Sequence, residues 1–152
     1  MSIEYDVRNH RQEEEIFKKN SLAIIIGKVR KEVPLGTLGK KYLLEYRYTR
    51  VTFGGICFEN DFKFCNFLLS AIKVYERHKG TKNQNVLGEY IFMRGEEYLR
   101  IDAEREAGRL LSFQLAVDSY YYSYNLVWLE IHQLQNALIK AMNWFAPEQS
   151  DF

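Results

Sequence analysis

The chain has little cysteine, little proline and almost no net charge. Its 152 residues include 2 Cys and 2 Pro, so we expect neither a disulfide-built scaffold nor long disordered linkers. Cys57 and Cys65 are most simply two small hydrophobic side chains. The formal net charge of +1 gives no global attraction to a polyanion, so any such attraction must be local.

Long apolar runs are also missing. The longest, Leu22 to Ile26, is far too short to cross a bilayer. The first residues, Met1 to Asp6, lack the basic start and apolar stretch of a signal peptide. We therefore expect one compact, soluble domain that works in the cytoplasm, or with the nucleoid or nucleus.

Motifs that carry chemistry are scarce. His10, His78 and His132 lie far apart, and no set of His, Cys and carboxylates has the spacing of metal ligands. There is no glycine-rich phosphate loop and no serine in a nucleophile elbow. Asp102 and Glu104 share one strand face, which a solvated sheet explains. The sequence predicts a protein that is not an enzyme and uses no cofactor or metal.

The chain does contain one pattern written twice, 70 residues apart. In each copy, β-like sequence leads into an apolar strand and then an amphipathic helix. The first strand ends at Ile56–Glu59 before a helix over 60–78; the second covers Leu126–Leu129 before a helix over 130–145. The aligned helix positions include Phe64 with Leu134, Leu68 with Leu138, and Ile72 with Met142. This repeat predicts an α+β fold of two antiparallel sheet-plus-helix units, packed as an intramolecular pseudo-dimer.

The pattern also predicts the boundaries. We expect a polar N-terminal arm or short exposed helix over 1–20, a first unit over 21–80, a connector over 81–88, a second unit over 89–146 and an acidic tail over 147–152. Asn60 is expected to cap the first helix.

The segment from Lys28 to Arg50 combines positive charge with flat rings. It has seven cations and two carboxylates, Glu32 and Glu45. The cations are Lys28, Arg30, Lys31, Lys40, Lys41, Arg47 and Arg50. Strand alternation over 40–53 places Tyr42, Tyr46 and Tyr48 on one face and Arg47 on the other. Cations with aromatic rings are typical of single-strand binders. The alternative is that the tyrosines form half of a core and the cations only solubilise a strand.

The second unit supplies secondary candidates for the same role. They are Arg94, Tyr98, Arg100, Arg109, Phe113, Tyr121 and Tyr122. Four tyrosines between 120 and 124 are too many to be buried together with satisfied hydroxyls. They lie in the connection before the last strand or begin that strand, and some must face solvent, a nucleotide or a second copy of the chain.

Three segments resemble a known superfamily. Glu97–Asp102 resembles the aromatic-rich strand of a PUR repeat, and Gly108–Phe113 resembles its Gly-Arg-aliphatic hairpin. Leu126–Phe145 resembles the last strand and helix of either PUR-repeat or Whirly-type proteins. With the repeated pattern over 21–146, the chain resembles Whirly, PUR-repeat and positive-cofactor-four proteins. The resemblance implies binding of single-stranded DNA or RNA on the sheets, with helices that dimerise or pack the units together. The chain departs from the family in the carboxylates around the second hairpin, which include Glu96, Glu97, Asp102, Glu104 and Glu106.

The leading hypothesis is a non-enzymatic protein that binds single-stranded DNA or RNA through basic and aromatic residues on its sheets. The alternative is a protein-interaction module, such as an adaptor, inhibitor or immunity protein, with a tyrosine-rich surface. The tail ending in Phe152 resembles tails that recruit replication partners; its alternative is a chain end without a role.

Overall fold

The computed structural model describes residues 9–35, 39–77, 86–106, 110–117 and 120–145. In these residues, two four-stranded antiparallel sheets are each followed by one helix. The first unit consists of β1 (Asn9–Lys19), β2 (Leu22–Leu35), β3 (Lys40–Phe53), β4 (Ile56–Glu59) and α1 (Phe62–Arg77). The second consists of β5 (Val86–Arg94), β6 (Glu97–Glu106), β7 (Leu110–Val117), β8 (Tyr120–Leu126) and α2 (Trp128–Phe145). Strands pair in chain order in both sheets, which confirms the predicted fold class and repeat.

The two units are interlocked by their helices. α1 packs against β5 and α2, whereas α2 returns to the first unit and packs against β1, β2 and β3. The aligned positions Phe64 and Leu134, like Leu68 and Leu138, are fully buried in one shared core. Each such side chain contributes about 1.5–3 kcal/mol through burial. The repeated apolar stripe therefore marks the residues that join the two halves.

A second junction places the β3–β4 turn on β8. The ring centroids of Phe53 and Tyr124 are 4.5 Å apart, and the Gly54 N–H donates to the Tyr124 hydroxyl at 3.0 Å. The same hydroxyl contacts the Ser21 hydroxyl. Gly54 has φ of 58°, and a Cβ there would approach the Tyr122 ring to 3.0 Å. Tyr124, on the inward face of β8, is thus buried with its hydroxyl satisfied.

The N-terminal segment corrects the sequence prediction. Asn9–Lys19 is an edge strand paired with β2, rather than an arm or a short helix. A bulge between Glu15 and Phe17 turns Phe17 into the core, while Glu13 and Glu15 lie on the opposite face. Charged residues on an edge strand keep it from pairing with another chain. The glutamate run is therefore compatible with a strand.

Both helix starts also differ from the prediction. Asp61, not Asn60, caps α1, since its Oδ1 accepts the Phe64 N–H at 2.9 Å. Asn60 is left-handed, with φ of 53°, and its Oδ1 accepts the Thr49 N–H at 2.8 Å. In the second unit the strand ends at Leu126, and Trp128 already belongs to α2.

A glutamate explains why the second helix begins early. Glu130 Oε1 accepts the Val127 N–H at 3.0 Å and pairs with Lys19 Nζ at 2.7 Å. These contacts satisfy a free donor at the helix start and place a negative charge at its positive end. The apolar run from Val127 to Leu129 therefore forms an exposed first turn instead of a buried strand.

The remaining boundaries agree in part. The strand predicted over 40–53 is β3, and Tyr120–Tyr124 begins β8, which was one of the two alternatives. Val86, Leu87 and Gly88 belong to β5 instead of the connector. The rest of the connector and the 147–152 tail with Phe152 lie outside the described residues. Neither described helix is both long and apolar enough to cross a membrane.

Candidate nucleic-acid interface

β2 and β3 form a long two-stranded ribbon, which we call the β2–β3 ribbon. Its register runs from Ala23 opposite Thr52 to Leu35 opposite Lys40. β1 pairs with β2 only as far as Lys31, and β4 pairs with β3 only over 50–53. Among the described residues, β3 from Lys40 to Tyr48 therefore has β2 as its one strand partner. One backbone edge of β3 is open along this stretch.

The ribbon has two faces, and the predicted cluster is divided between them. Thr49 Oγ1 donates to the Ala141 carbonyl of α2 at 3.1 Å, so this face of β3 is the helix side. By alternation Arg47 also lies on the helix side, whereas Tyr46, Tyr48 and Arg50 lie on the open side. Lys28 is opposite Arg47 and shares its face. The sequence prediction that Arg47 faces away from Tyr46 and Tyr48 is confirmed.

Three cations lie around one indole on the helix side, a fourth follows on the same face of β2, and we call this group the basic patch. Its members are Lys28, Arg30, Arg47, Lys140 and Trp144. The Arg47 guanidinium lies 4.6 Å from the centroid of the Trp144 ring, close enough for a cation–π interaction. Trp144 Nε1 donates to the Gly27 carbonyl at 2.7 Å, which fixes the indole on β2. Lys28, Lys140 and Trp144 line a groove of about 400 Å³.

Carboxylates border the basic patch without cancelling its charge. Arg30 Nε donates to Glu45 Oε2 at 2.8 Å, and this hydrogen bond is the main reason that the pKa of Glu45 is lowered. Lys140 Nζ lies 3.9 Å from Glu14 Oε1. Glu13 also lines the groove but is paired with Arg50 at 3.5 Å. The four cations of the patch therefore face Glu14 and Glu45, and the patch keeps a local positive charge.

Tyr46 and Tyr48 have different surroundings although they share a face. Tyr46 is 53% exposed, but Tyr48 is only 6% exposed because its ring lies over Gly27. The Tyr48 hydroxyl donates to Glu13. Burial and this hydrogen bond raise the pKa of Tyr48 to about 12. Tyr48 is therefore a buried structural residue of the β2–β3 ribbon, and this corrects its assignment as a stacking ring.

Arg50 also has a structural role, because it contacts both Tyr48 and Glu13. Its guanidinium lies 5.5 Å from the Tyr48 ring centroid and 3.5 Å from Glu13, while Arg11 lies 5.7 Å from the same ring. The two arginines hold the tyrosine from either side. The backbones of Lys40, Lys41 and Tyr42 lie in β3 opposite Leu35, Pro34 and Val33; their side chains are outside the described part.

On the second sheet, two of the predicted rings are highly exposed. Tyr98 is 77% and Tyr121 is 78% exposed, on the face turned away from the core. They flank a cleft of about 270 Å³ that Arg100 also lines. Arg100 pairs with Asp102 at 3.1 Å and with Glu89 at 3.8 Å. The structure therefore brings Tyr98, Arg100 and Tyr121 together, as a group apart from the basic patch.

The other candidates of the second unit are placed differently. Phe113 is fully buried in the core and cannot offer its ring to a base, which corrects that assignment. Tyr122 is half-buried against the core, and Arg94 pairs with Glu97 at 3.1 Å beside the β5–β6 turn. Arg109 lies outside the described residues.

Sequence reasoning missed Trp144 and Lys140. Both lie in α2, far along the chain from β2 and β3, and only the return of α2 to the first sheet brings them there. The one available signal was their i, i+4 spacing, which places them on the same side of the helix. In the described part of the chain, no group of three or more His, Cys, Asp or Glu could hold a metal ion.

No protein-family model and no curated protein matches the chain. Among solved structures, that of the plant transcriptional regulator PBF-2 aligns with 93% of this chain and 86% of its own, at 12% sequence identity and a TM-score of 0.41. The likeness is distant.

Proposed function

We propose that the protein binds single-stranded DNA or RNA along the open edge of β3 and catalyses no reaction there. The observation that supports this most is the combination of the basic patch on one side of that edge with the exposed Tyr46 ring on the other. Cations and an accessible aromatic ring are the two requirements of single-strand binding.

The geometry of a strand explains how one nucleic acid reaches both groups. Successive side chains point to opposite faces, so Tyr46 and Arg47 project to either side of the same edge. A flexible single strand that follows the edge places its phosphates near Lys28 and Arg47 and a base against Tyr46. The contact with Trp144 holds the Arg47 guanidinium on the helix side of this edge.

The same geometry favours single strands over duplexes. In a duplex the bases are paired and stacked, so a ring on a sheet face cannot stack on them. The cations alone would still attract a duplex through its phosphates, but without the stacking contribution. We therefore expect weaker and more salt-sensitive binding of double-stranded oligonucleotides.

The test is fluorescence anisotropy with a labelled single-stranded oligonucleotide at several salt concentrations. For single strands, the logarithm of the affinity should fall with the logarithm of salt by about 0.7 per phosphate contacted. Arg47→Ala should weaken binding and reduce that slope by about 0.7, the amount expected for one phosphate contact. The matched control is Lys73→Ala, an exposed lysine on α1 outside the basic patch, which should change neither quantity.

Tyr46→Ala separates stacking from charge. Loss of one stacked base costs about 1–3 kcal/mol, so affinity should fall about fivefold or more while the salt slope is retained. Binding that is indifferent both to salt and to Tyr46→Ala would contradict the proposal.

A further inference from the structure

The open face of the second sheet carries a connected apolar surface, which we call the second-sheet face. Ile91, Met93, Tyr98 and Tyr121 lie on it, and each is more than half exposed. Met93 is directly opposite Tyr98, and Ala116 is opposite Tyr121, so the rings and aliphatic groups run from β5 to β8. Apolar groups joined across a sheet in this way mark a binding surface more often than isolated ones do.

The charge around the second-sheet face is negative. Among the described residues, six carboxylates lie on it or at its β5–β6 turn, against two arginines. The carboxylates are Glu89, Glu96, Glu97, Asp102, Glu104 and Glu106. Arg100 already pairs with Asp102 and Glu89, and Arg94 pairs with Glu97. This surface therefore repels phosphates and attracts cations, the opposite of the basic patch.

The cleft between the two exposed tyrosines has the chemistry of a cation site. Tyr98 and Tyr121 form its walls, and the rest of its lining consists of Leu99, Arg100, Asp102, Gln114 and Ala116. The faces of aromatic rings attract a guanidinium or an ammonium. Asp102 is paired with Arg100 at 3.1 Å, so the counter-charge for an incoming cation comes from Glu104, which accepts from the Gln114 amide at 3.4 Å beside the cleft. The cleft, at about 270 Å³, is large enough for one basic side chain.

We propose that the second-sheet face is a docking site for a basic segment of a partner protein, whose arginine or lysine side chain enters the cleft between Tyr98 and Tyr121. Aliphatic groups of the same segment cover Ile91 and Met93. Charge complementarity selects this occupant over a nucleic acid. The site shares no residue with the β3 edge, so it stands or falls independently of the proposed function.

The probe is a fluorescein-labelled peptide in which arginine alternates with valine, measured against the full chain by anisotropy. The same peptide with citrulline in place of arginine keeps the shape and removes the charge. We expect the arginine peptide to bind at least about tenfold more tightly than the citrulline peptide, and more weakly as salt rises. Tyr98→Ala should reduce its affinity about fivefold, and Tyr98→Ala with Tyr121→Ala at least about tenfold. Both rings are exposed, so neither change disturbs the core.

Two substitutions of Gln114 test whether the cleft prefers a positively or a negatively charged ligand. Gln114→Glu should strengthen peptide binding and Gln114→Lys should weaken it, each by about threefold to tenfold. Arg47→Ala, in the basic patch, is the control that leaves peptide affinity unchanged. Equal binding of the arginine and citrulline peptides, or full affinity in the double tyrosine variant, would overturn the proposal. The proposal would also be overturned if the affinity for an oligonucleotide fell in the double tyrosine variant and rose in Gln114→Lys. That result would show that the second-sheet face binds nucleic acid.

Discussion

The pairing of Gly27 with Tyr48 gives the sharpest stability prediction. The two residues face each other across β2 and β3, and the tyrosine ring lies flat over the glycine. A Cβ at position 27 would lie 2.8 Å from Tyr48 Cε1 and closer still to Cζ and the hydroxyl. The ring would have to move, and with it the hydrogen bond to Glu13 and the positions of Arg11 and Arg50. Gly27→Ala should therefore destabilise the fold.

The magnitude follows from two opposed effects. Forcing a methyl group into a well-packed contact costs about 1–3 kcal/mol. Without that contact, alanine is favoured over glycine in a strand by about 0.5–1 kcal/mol, because glycine loses more backbone entropy on folding. Gly27→Ala should thus be destabilising beside Tyr48 but neutral or stabilising in a Tyr48→Ala background. The coupling between the two positions is expected to be about 1.5–4 kcal/mol.

The assay is a double-mutant cycle measured by urea unfolding. The net cost of Gly27→Ala is then about 1.25 kcal/mol, so its midpoint should fall by about 0.6 M relative to wild type if the slope m is about 2 kcal/mol/M. Gly27→Ala added to Tyr48→Ala should not lower the midpoint further. An equal loss of stability in both backgrounds would show that glycine is needed for the backbone conformation and not to leave room for the Tyr48 ring. No cost in either background would refute the close packing itself.

Two titrations extend the predictions to pH. Burial raises the pKa of Glu130, but the Lys19 ammonium and the Val127 N–H outweigh this and lower it below the ordinary 4.5. Since the folded-state pKa is the lower one, this carboxylate stabilises the fold above pH 4.5 and loses that contribution as pH falls. Glu130→Gln should therefore flatten the loss of stability in acid; an unchanged acid slope would contradict the assignment. The pKa values of Tyr48 and Tyr90 are both raised to about 12, first by burial and then by hydrogen bonds to Glu13 and Asp61. Tyrosinate absorbance should show these two groups ionising late, and Tyr48→Phe should remove one of them and leave the other.

The fold could be predicted from the sequence wherever one local pattern dominated. The apolar stripe through Phe64 and Leu68 and its repeat in α2 identified the helices because helical spacing selects buried positions directly. The prediction for the segment before Leu22 was wrong for a physical reason. A charged edge strand buries few residues, so Glu13 to Glu15 had no alternation strong enough to distinguish a strand from an exposed helix.

The candidate site was predictable only in part. Strand alternation shows on which face of a sheet a side chain lies, but it does not show which other residues that side chain contacts. It correctly separated Tyr46 from Arg47 across β3. It could not show that the hairpin register puts Gly27 beneath Tyr48, and this decides that one tyrosine is buried and the other exposed. Nor could it show that α2 brings Trp144 beneath Arg47, since that contact depends on the packing of the second unit onto the first.

The near-zero net charge has a different meaning once the surfaces are known. A sum of +1 would argue against nucleic acid only if the charge were evenly spread. Instead, Lys28, Arg47 and Lys140 collect around Trp144 on the first sheet, while carboxylates such as Asp102 and Glu104 collect on the second. Among the described residues, cations outnumber carboxylates around Trp144 and carboxylates outnumber arginines on the second-sheet face, although both surfaces also hold ion pairs such as Arg30–Glu45 and Arg100–Asp102. Two oppositely charged surfaces, each with accessible aromatic rings, fit two ligands of opposite charge better than they fit one ligand that must cross both.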